Sequence, residues 1–283
     1  MNNFFNVKRF GLVLKKDFLE NWKRYLLYFI VLFGIMALIM IFTANDAYRA
    51  MLIYGRFPHP GLNTQLLQIA SFSFLAGGLL FASTAMDTMK RKTQRVSYLI
   101  LPASNFEKYF SRWLIVMIGY IIAFFIALWL ADFMRVLVCS MRYPTLEINA
   151  LDMGEIIKTV GGNPDSLDRN KSIFAICISL YLLFQSIFVL GTLFWEKLSF
   201  IKTFAVSSLV VTGFILICRW AVLSFYPGDF DQLGNVLNSF RIDEKITESQ
   251  AYTIFIVTLL VFTLANWIIS YFRFKESEII KRW

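Results

Sequence analysis

Six long apolar stretches without a charged side chain constrain this chain more than any other feature. A helix rises about 1.5 Å per residue, so about 20 residues cross a hydrocarbon core of about 30 Å. Five of the stretches reach that length without a charged side chain. The stretch at 203–223 reaches it only when one arginine near its end is counted as part of the span. The predicted spans lie at approximately residues 25–44, 66–86, 113–131, 172–195, 203–223 and 250–272.

The composition agrees with a membrane protein. Of the 283 residues, 58% are hydrophobic and 17% are charged, whereas an average soluble domain carries about 25% charged residues. A soluble domain of this size could not bury so much apolar side chain, and a disordered chain would hold far less of it. The sequence therefore predicts an all-α integral membrane protein with six transmembrane helices, in which residues 1–283 form a single transmembrane domain.

The distribution of basic residues predicts the orientation. Of the 28 Lys and Arg residues, 18 fall in the segments 1–24, 87–112, 196–202 and 273–283. With six spans, these four segments all lie on the same side of the membrane. Short cytoplasmic loops are enriched in Lys and Arg, so both termini are expected in the cytoplasm. The positive net charge is explained by this topology, and no nucleic-acid partner is needed.

Residues 4–24 have the pattern of an amphipathic helix. Their apolar side chains recur at steps of three and four, with basic side chains between them. We expect an interfacial helix that lies along the cytoplasmic membrane surface, near anionic lipid headgroups. The alternative is a simple juxtamembrane linker.

Residues that could carry chemistry are scarce. His59 is the only histidine, the three cysteines are widely spaced, and no P-loop or hydrolase motif occurs. We therefore predict no metal site, no disulfide framework, no cofactor in this chain and no enzymatic activity. Asp87 and Asp132 lie at span ends and are expected to be solvated. Arg219, inside the fifth span, is expected to extend its charge to the outer interface, or alternatively to contact an anionic, lipid-like cargo.

The segment between the second and third spans contains the most specific local pattern. Thr93 to Leu101 can form a short helix, which Pro102 ends because the residue before a proline is disfavoured in helix. Ser104 and Glu107 then form a capping box that starts a new helix into the third span. The alternative is a solvated connector.

At this segment the sequence resembles the permease subunits of ABC-2-type ATP-binding-cassette transporters. The matching residues are Thr93, Tyr98, Leu99, Leu101, Pro102 and Ser104. In that family the short helix docks into a cleft on a separate ATPase subunit. The resemblance implies an ATPase-coupling role for Arg91, Thr93, Arg95, Val96, Tyr98, Leu99, Leu101, Pro102, Ser104 and Glu107. Val96, Tyr98 and Leu99 would fill the cleft, and Arg91 and Arg95 would meet acidic residues at its rim.

The resemblance also implies a function and partners. The chain would be the permease of an ATP-driven exporter in a bacterial cytoplasmic membrane, moving an apolar or amphipathic cargo such as a lipid-like molecule, drug or peptide. It would form a homodimer, or a heterodimer with a related permease, within membrane lipid, and ATP and magnesium would bind the ATPase partner. The alternative is a non-transporting membrane protein that anchors a partner or confers immunity. An ion-driven carrier ranks lower because the uncharged spans hold no carboxylate.

The sequence also predicts structure in two segments on the outer side. In residues 132–171 we expect a short helix at about 149–160 within a small ordered cap over the spans. Residues 225–249 correspond, in the resembled family, to short helices that enter the outer leaflet from outside.

Reporter fusions test the predicted topology. Fusions at Asn3, Asn63, Asn163 and Glu276 should report in, out, out and in, because the basic segments fix the cytoplasmic side. An outside signal at Glu276 would contradict the count of six spans.

Overall fold

The computed structural model describes residues 5–55, 61–89, 92–156, 167–195, 197–225 and 248–276. Within these ranges the chain forms helices joined by turns, with no strand. The α-helices are α1 (Val7–Tyr54), α2 (Leu62–Ala82), α3 (Lys92–Leu99), α4 (Asn105–Leu114), α5 (Tyr120–Arg142), α6 (Leu167–Phe194), α7 (Ser199–Phe225) and α8 (Glu248–Glu276). A π-helical turn, Ile115–Gly119, joins α4 to α5 without a break, and 3-10 turns lie at Asp87–Met89 and Met153–Glu155.

In the described part of the chain, six helical segments are long and apolar enough to cross a membrane. They are α1, α2, the continuous segment from α4 to α5, α6, α7 and α8. The predicted all-helical class and the six apolar helices are confirmed, as expected of a multi-pass membrane protein. α2 begins and ends about one turn earlier than the predicted span at 66–86.

The N-terminal region differs from the prediction. A separate interfacial helix at 4–24 was expected, but α1 runs unbroken from Val7 to Tyr54, which corresponds to about 72 Å of helix. The Asn6 side chain caps its start by accepting hydrogen bonds from the backbone N–H groups of Lys8 and Arg9 at 3.0 and 3.3 Å. No proline or glycine occurs between Leu12 and Leu32 to interrupt the helix.

The helices pack as two groups. α1 packs closely along α5 and also against α2, and α6 packs closely along α8 and also against α7. Contacts between α2 and α6, and between α4 and α8, join the groups. Many large apolar side chains remain exposed, including Phe72, Leu209 and Phe214. Exposed apolar faces of this kind suit contact with lipid.

A folded segment follows α5 and covers the adjacent helix ends. Arg135 donates from Nε to Asp132 Oδ1 at 2.7 Å and from Nη2 to the Asn149 carbonyl at 2.8 Å. The Leu151 N–H donates to Asp132 Oδ2 at 2.9 Å, and the Asp152 N–H donates to the Asn63 side chain of α2 at 3.0 Å. The expected ordered cap is therefore present around residues 143–156.

One prediction about this region is wrong, and a second is wrong over residues 149–155. Asp132 is buried and paired with Arg135 rather than solvated, because the returning chain excludes water from it. In place of the expected helix at 149–160, residues 149–152 are irregular and Met153–Glu155 form a 3-10 turn, and Ile156 is the one described residue of this range that is α-helical. Residues 157–166 lie outside the described part of the chain, as do residues 226–247 of the predicted outer-leaflet segment.

Close approach of helices depends on glycine at two positions. A Cβ built on Gly78 of α2 would lie 2.5 Å from the hydroxyl oxygen of Tyr181 on α6 and 2.7 Å from its ring. A Cβ on Gly191 of α6 would collide with the side chain of Thr203 on α7. Small residues at helix contacts are a general device of membrane bundles, where packing supplies much of the association energy.

Replacing Gly78 tests this packing. Gly78→Ala should destabilise the protein by about 1–3 kcal/mol, because the added methyl group forces Tyr181 away from its position. Gly34→Ala is the matched control, since a Cβ at Gly34 meets nothing within 4 Å and alanine favours helix by roughly 0.5–1 kcal/mol. Thermal unfolding in detergent, followed by tryptophan fluorescence, measures both. Equal stability of the two variants would show that α2 and α6 do not depend on this close contact.

Candidate functional site

The segment between α2 and α5 contains the predicted short helix and capping box, but the helix ends earlier than the predicted Thr93–Leu101. α3 spans Lys92–Leu99 and ends before Pro102. Ser104 caps α4: its Oγ accepts from the Glu107 N–H at 3.2 Å, and Glu107 Oε2 accepts from the Ser104 N–H at 3.0 Å. This reciprocal capping box fixes the direction in which α4 leaves the segment.

Tyr98 attaches α3 to the rest of the protein. Its side chain is only 2% exposed, and its hydroxyl lies 2.9 Å from the Lys108 carbonyl oxygen and 3.1 Å from Asp17 Oδ2. The Arg112 guanidinium lies 5.2 Å from the centre of the ring, within cation–π range. Burial, reinforced by the nearby Asp17 carboxylate, raises the pKa of the Tyr98 hydroxyl. The hydroxyl therefore stays protonated and remains a hydrogen-bond donor.

This placement corrects one sequence expectation. Tyr98 was expected to project into a cleft of a partner, but its side chain points into this chain and is hydrogen-bonded there. A buried tyrosine of this kind cannot act as a surface anchor. The short helix presents its other face to the outside.

The buried carboxylate of Asp17 connects three helices. Asp17, on α1, is fully buried. Its Oδ1 accepts from Arg112 Nη2 on α4 at 3.0 Å, and its Oδ2 accepts from Ser111 Oγ at 2.6 Å and faces the Tyr98 hydroxyl of α3. We call Asp17, Tyr98, Ser111 and Arg112 the Asp17 cluster. A buried charge needs such partners, because removing one leaves an uncompensated ion in a low dielectric.

A second ion pair joins the start of α1 to the start of α4. The buried Glu107 carboxylate accepts from Arg9 Nε at 2.6 Å and from Arg9 Nη2 at 2.9 Å, which is a bidentate pair. The Asn6 N–H also donates to Glu107 Oε1 at 2.7 Å. Glu107 therefore does more than the predicted capping, since it also holds the N-terminus of α1.

The exposed face of α3 carries apolar side chains. Val96 is 49% exposed, and Ile100, in the turn that directly follows α3, is 75% exposed. Thr93 and Pro102 are also exposed, whereas Arg95 and Leu101 are half-buried, with Leu101 packed on an apolar core cluster. Of the other predicted coupling residues, Arg91 and the side chain of Leu99 lie outside the described residues.

Arg219 lies far from the α3 segment, near the other end of α7. Ser199, at the start of α7, donates to the Ser83 carbonyl at 3.0 Å, near the α3 segment. Arg219 lies 20 residues further along α7, or about 30 Å along the helix, and its side chain is exposed. The structure therefore does not bring Arg219 together with the α3 residues.

Comparison with known proteins adds no family. Neither a family model, nor a curated protein, nor a solved structure matches the chain. Within the described ranges, no group of three His, Cys, Asp or Glu side chains is placed to hold a metal ion. The α3 face and its buried anchors are the arrangement from which a function can be argued.

Neutralising Asp17 tests whether the Asp17 cluster stabilises the fold. Asp17→Asn should lower the free energy of unfolding by roughly 3–5 kcal/mol, because Arg112 would stay buried without its counter-ion. Glu20→Gln is the control on the same helix: Glu20 is exposed and pairs with Lys16 at 3.0 Å, and such pairs contribute about 0–1 kcal/mol. Denaturant titration in mixed micelles measures both changes. A similar small loss in the two variants would show that the cluster does not hold the helices together.

Proposed function

We propose that this chain is the membrane-spanning permease subunit of an ATP-driven exporter of the ABC-2 type, driven by a separate ATPase subunit. The observation that carries the proposal is the attachment of α3. Its inner face is fixed to α1 and α4 through Tyr98 and Asp17, while Val96 on its outer face and Ile100 in the turn after it are exposed.

A coupling element has to be rigid and has to present a docking surface. A flexible loop would absorb a displacement, whereas α3 is hydrogen-bonded to the buried Asp17 side chain of α1 and to the backbone of α4. α4 continues through the π-helical turn into α5, which packs along α1. A push on α3 would therefore move the ends of two long apolar helices together.

The role of each part follows from this arrangement. Val96 and Ile100 would contact the ATPase, and the Asp17 cluster would transmit the movement to α1 and α4. The π-helical turn at Ile115–Gly119 is a site where the helix can bend, since such turns interrupt the regular hydrogen-bond ladder. ATP and magnesium would be bound by the ATPase subunit. The predominantly apolar helices suit an apolar or amphipathic cargo. In a bacterial cytoplasmic membrane, the ATPase would face the ATP of the cytoplasm, and the cargo would leave on the opposite side.

The experiment is purification in mild detergent from the native membrane, with mass-spectrometric identification of the partner and measurement of ATP hydrolysis. A nucleotide-binding cassette ATPase should co-purify with the wild-type chain. Val96→Ala combined with Ile100→Ala should lower its recovery by about tenfold or more, because a few central residues carry most of the binding energy of an interface.

The matched control is Val206→Ala combined with Val210→Ala. These valines are also one turn apart and are 48% and 66% exposed, but they lie on α7. The control should leave ATPase recovery unchanged. Absence of an ATPase from the wild-type preparation, or equal loss in both double variants, would contradict the proposal. A stable partner without ATPase activity would instead support the anchoring or immunity alternative.

A further inference from the structure

The π-helical turn between α4 and α5 redirects one backbone hydrogen bond. The Tyr120 N–H donates to the Ile115 carbonyl, five residues earlier, whereas in a regular α-helix it would donate to the Val116 carbonyl, four residues earlier. The Val116 carbonyl therefore loses the donor that a regular helix would give it. Val116 is buried, and a buried carbonyl needs a donor from elsewhere.

The side chain of Gln185, on α6, supplies a donor to that carbonyl. Its Nε2 donates to the Val116 oxygen at 3.4 Å, and Gln185 is only 1% exposed. Within the described residues, Gln185 Oε1 has no hydrogen-bond partner. A buried polar atom without a partner destabilises a fold, so an apolar side chain would suit this site better if Gln185 only filled space. The contribution of the amide is therefore its bond to Val116.

The π-helical turn also decides which side chains of the continuous helix meet which neighbours. Each residue turns an α-helix by about 100°, and a π turn holds one residue more than an α turn. Before the turn, Ser111 and Arg112 reach Asp17 of α1. Directly after it, the Tyr120 hydroxyl donates to the Phe74 carbonyl of α2 at 2.8 Å. If the surplus residue moved to a later turn, Tyr120 would face about 100° away from α2.

We propose that Gln185 is a catch that holds the surplus residue at Ile115–Gly119, so that the position of α6 controls the face that Tyr120 presents to α2. At 3.4 Å the bond is long, and a small displacement of α6 away from the turn breaks it. The Tyr120 N–H then bonds to the Val116 carbonyl, and the surplus residue passes to the next turn of α5. The proposal does not rest on the exporter assignment, since it concerns contacts within this chain alone.

Deleting Ile118 tests the catch. Ile118 lies in the π turn and is 47% exposed, and its removal leaves a regular helix whose backbone gives Val116 a donor. Gln185→Leu is then compared in the full-length and deletion chains by thermal unfolding in detergent. Burial of Oε1 is relieved in both chains, but the bond to Val116 is lost only in the full-length chain. The change in Tm should therefore be about 2–4 °C more unfavourable there, as expected of one hydrogen bond.

The control variant is Asn266→Leu. Asn266 Nδ2 donates to Ser186 Oγ at 3.0 Å, which is a hydrogen bond between α8 and α6 that does not involve the π turn. Its replacement should change the Tm equally in the two chains. If the deletion chain fails to fold, hydrogen–deuterium exchange of the full-length chain replaces it. Gln185→Leu should then raise exchange at residues 115–124 by about fivefold, the equivalent of one hydrogen bond, and Asn266→Leu should not.

Two results would overturn the proposal. An equal effect of Gln185→Leu on the Tm of both chains would show that Gln185 acts only by its packing in α6. Exchange that is unchanged at residues 115–124, or raised evenly along α5 and α6, would show that the π turn does not depend on Gln185. Because no ATPase or cargo is present, each result is independent of the outcome of the co-purification experiment.

Discussion

Burial of the Asp17 carboxylate is the constraint on which the α3 end of the bundle depends. An ionised carboxylate out of water is costly unless hydrogen-bond donors and a counter-ion surround it. Arg112, Ser111 and Tyr98 meet that need, and they come from two other helices. The pairing of Arg9 with Glu107 adds a second polar link between α1 and α4. These directional contacts allow only one relative placement of α1, α3 and α4, which apolar packing alone would not specify.

The helices away from the α3 end are held together by a different kind of contact. Between apolar helices in lipid, association depends on close packing and small residues, because lipid tails are as apolar as the side chains. The approach of α2 to α6 at Gly78, and of α6 to α7 at Gly191, is of this kind. Such contacts involve no charge, whereas the Asp17 cluster cannot move without exposing or unpairing a charge. The fixed α3 end and the apolar helices are joined through the π-helical turn at Ile115–Gly119.

The features that depend on local sequence could be predicted, and those that depend on distant partners could not. Hydropathy located the six apolar helices, and the spacing of Ser104 and Glu107 located the capping box. Asp17 and Arg112 are 95 residues apart, and no single sequence shows that they meet. The sequence placed Tyr98 on a short helix but could not say which face of that helix turns inward. Asp132 looked solvated because the chain that covers it returns only at Leu151.

Neighbouring residues of α1 face different surroundings. Asp17 is buried and pairs with Arg112 of α4, whereas Phe18, the next residue, is exposed and lines an apolar groove between α1, α2 and the start of α5. A displacement of α1 by its buried anchors would therefore change the width of this groove near Phe18. A movement imposed on α3 would in this way alter an apolar surface of the bundle that lies outside the Asp17 cluster.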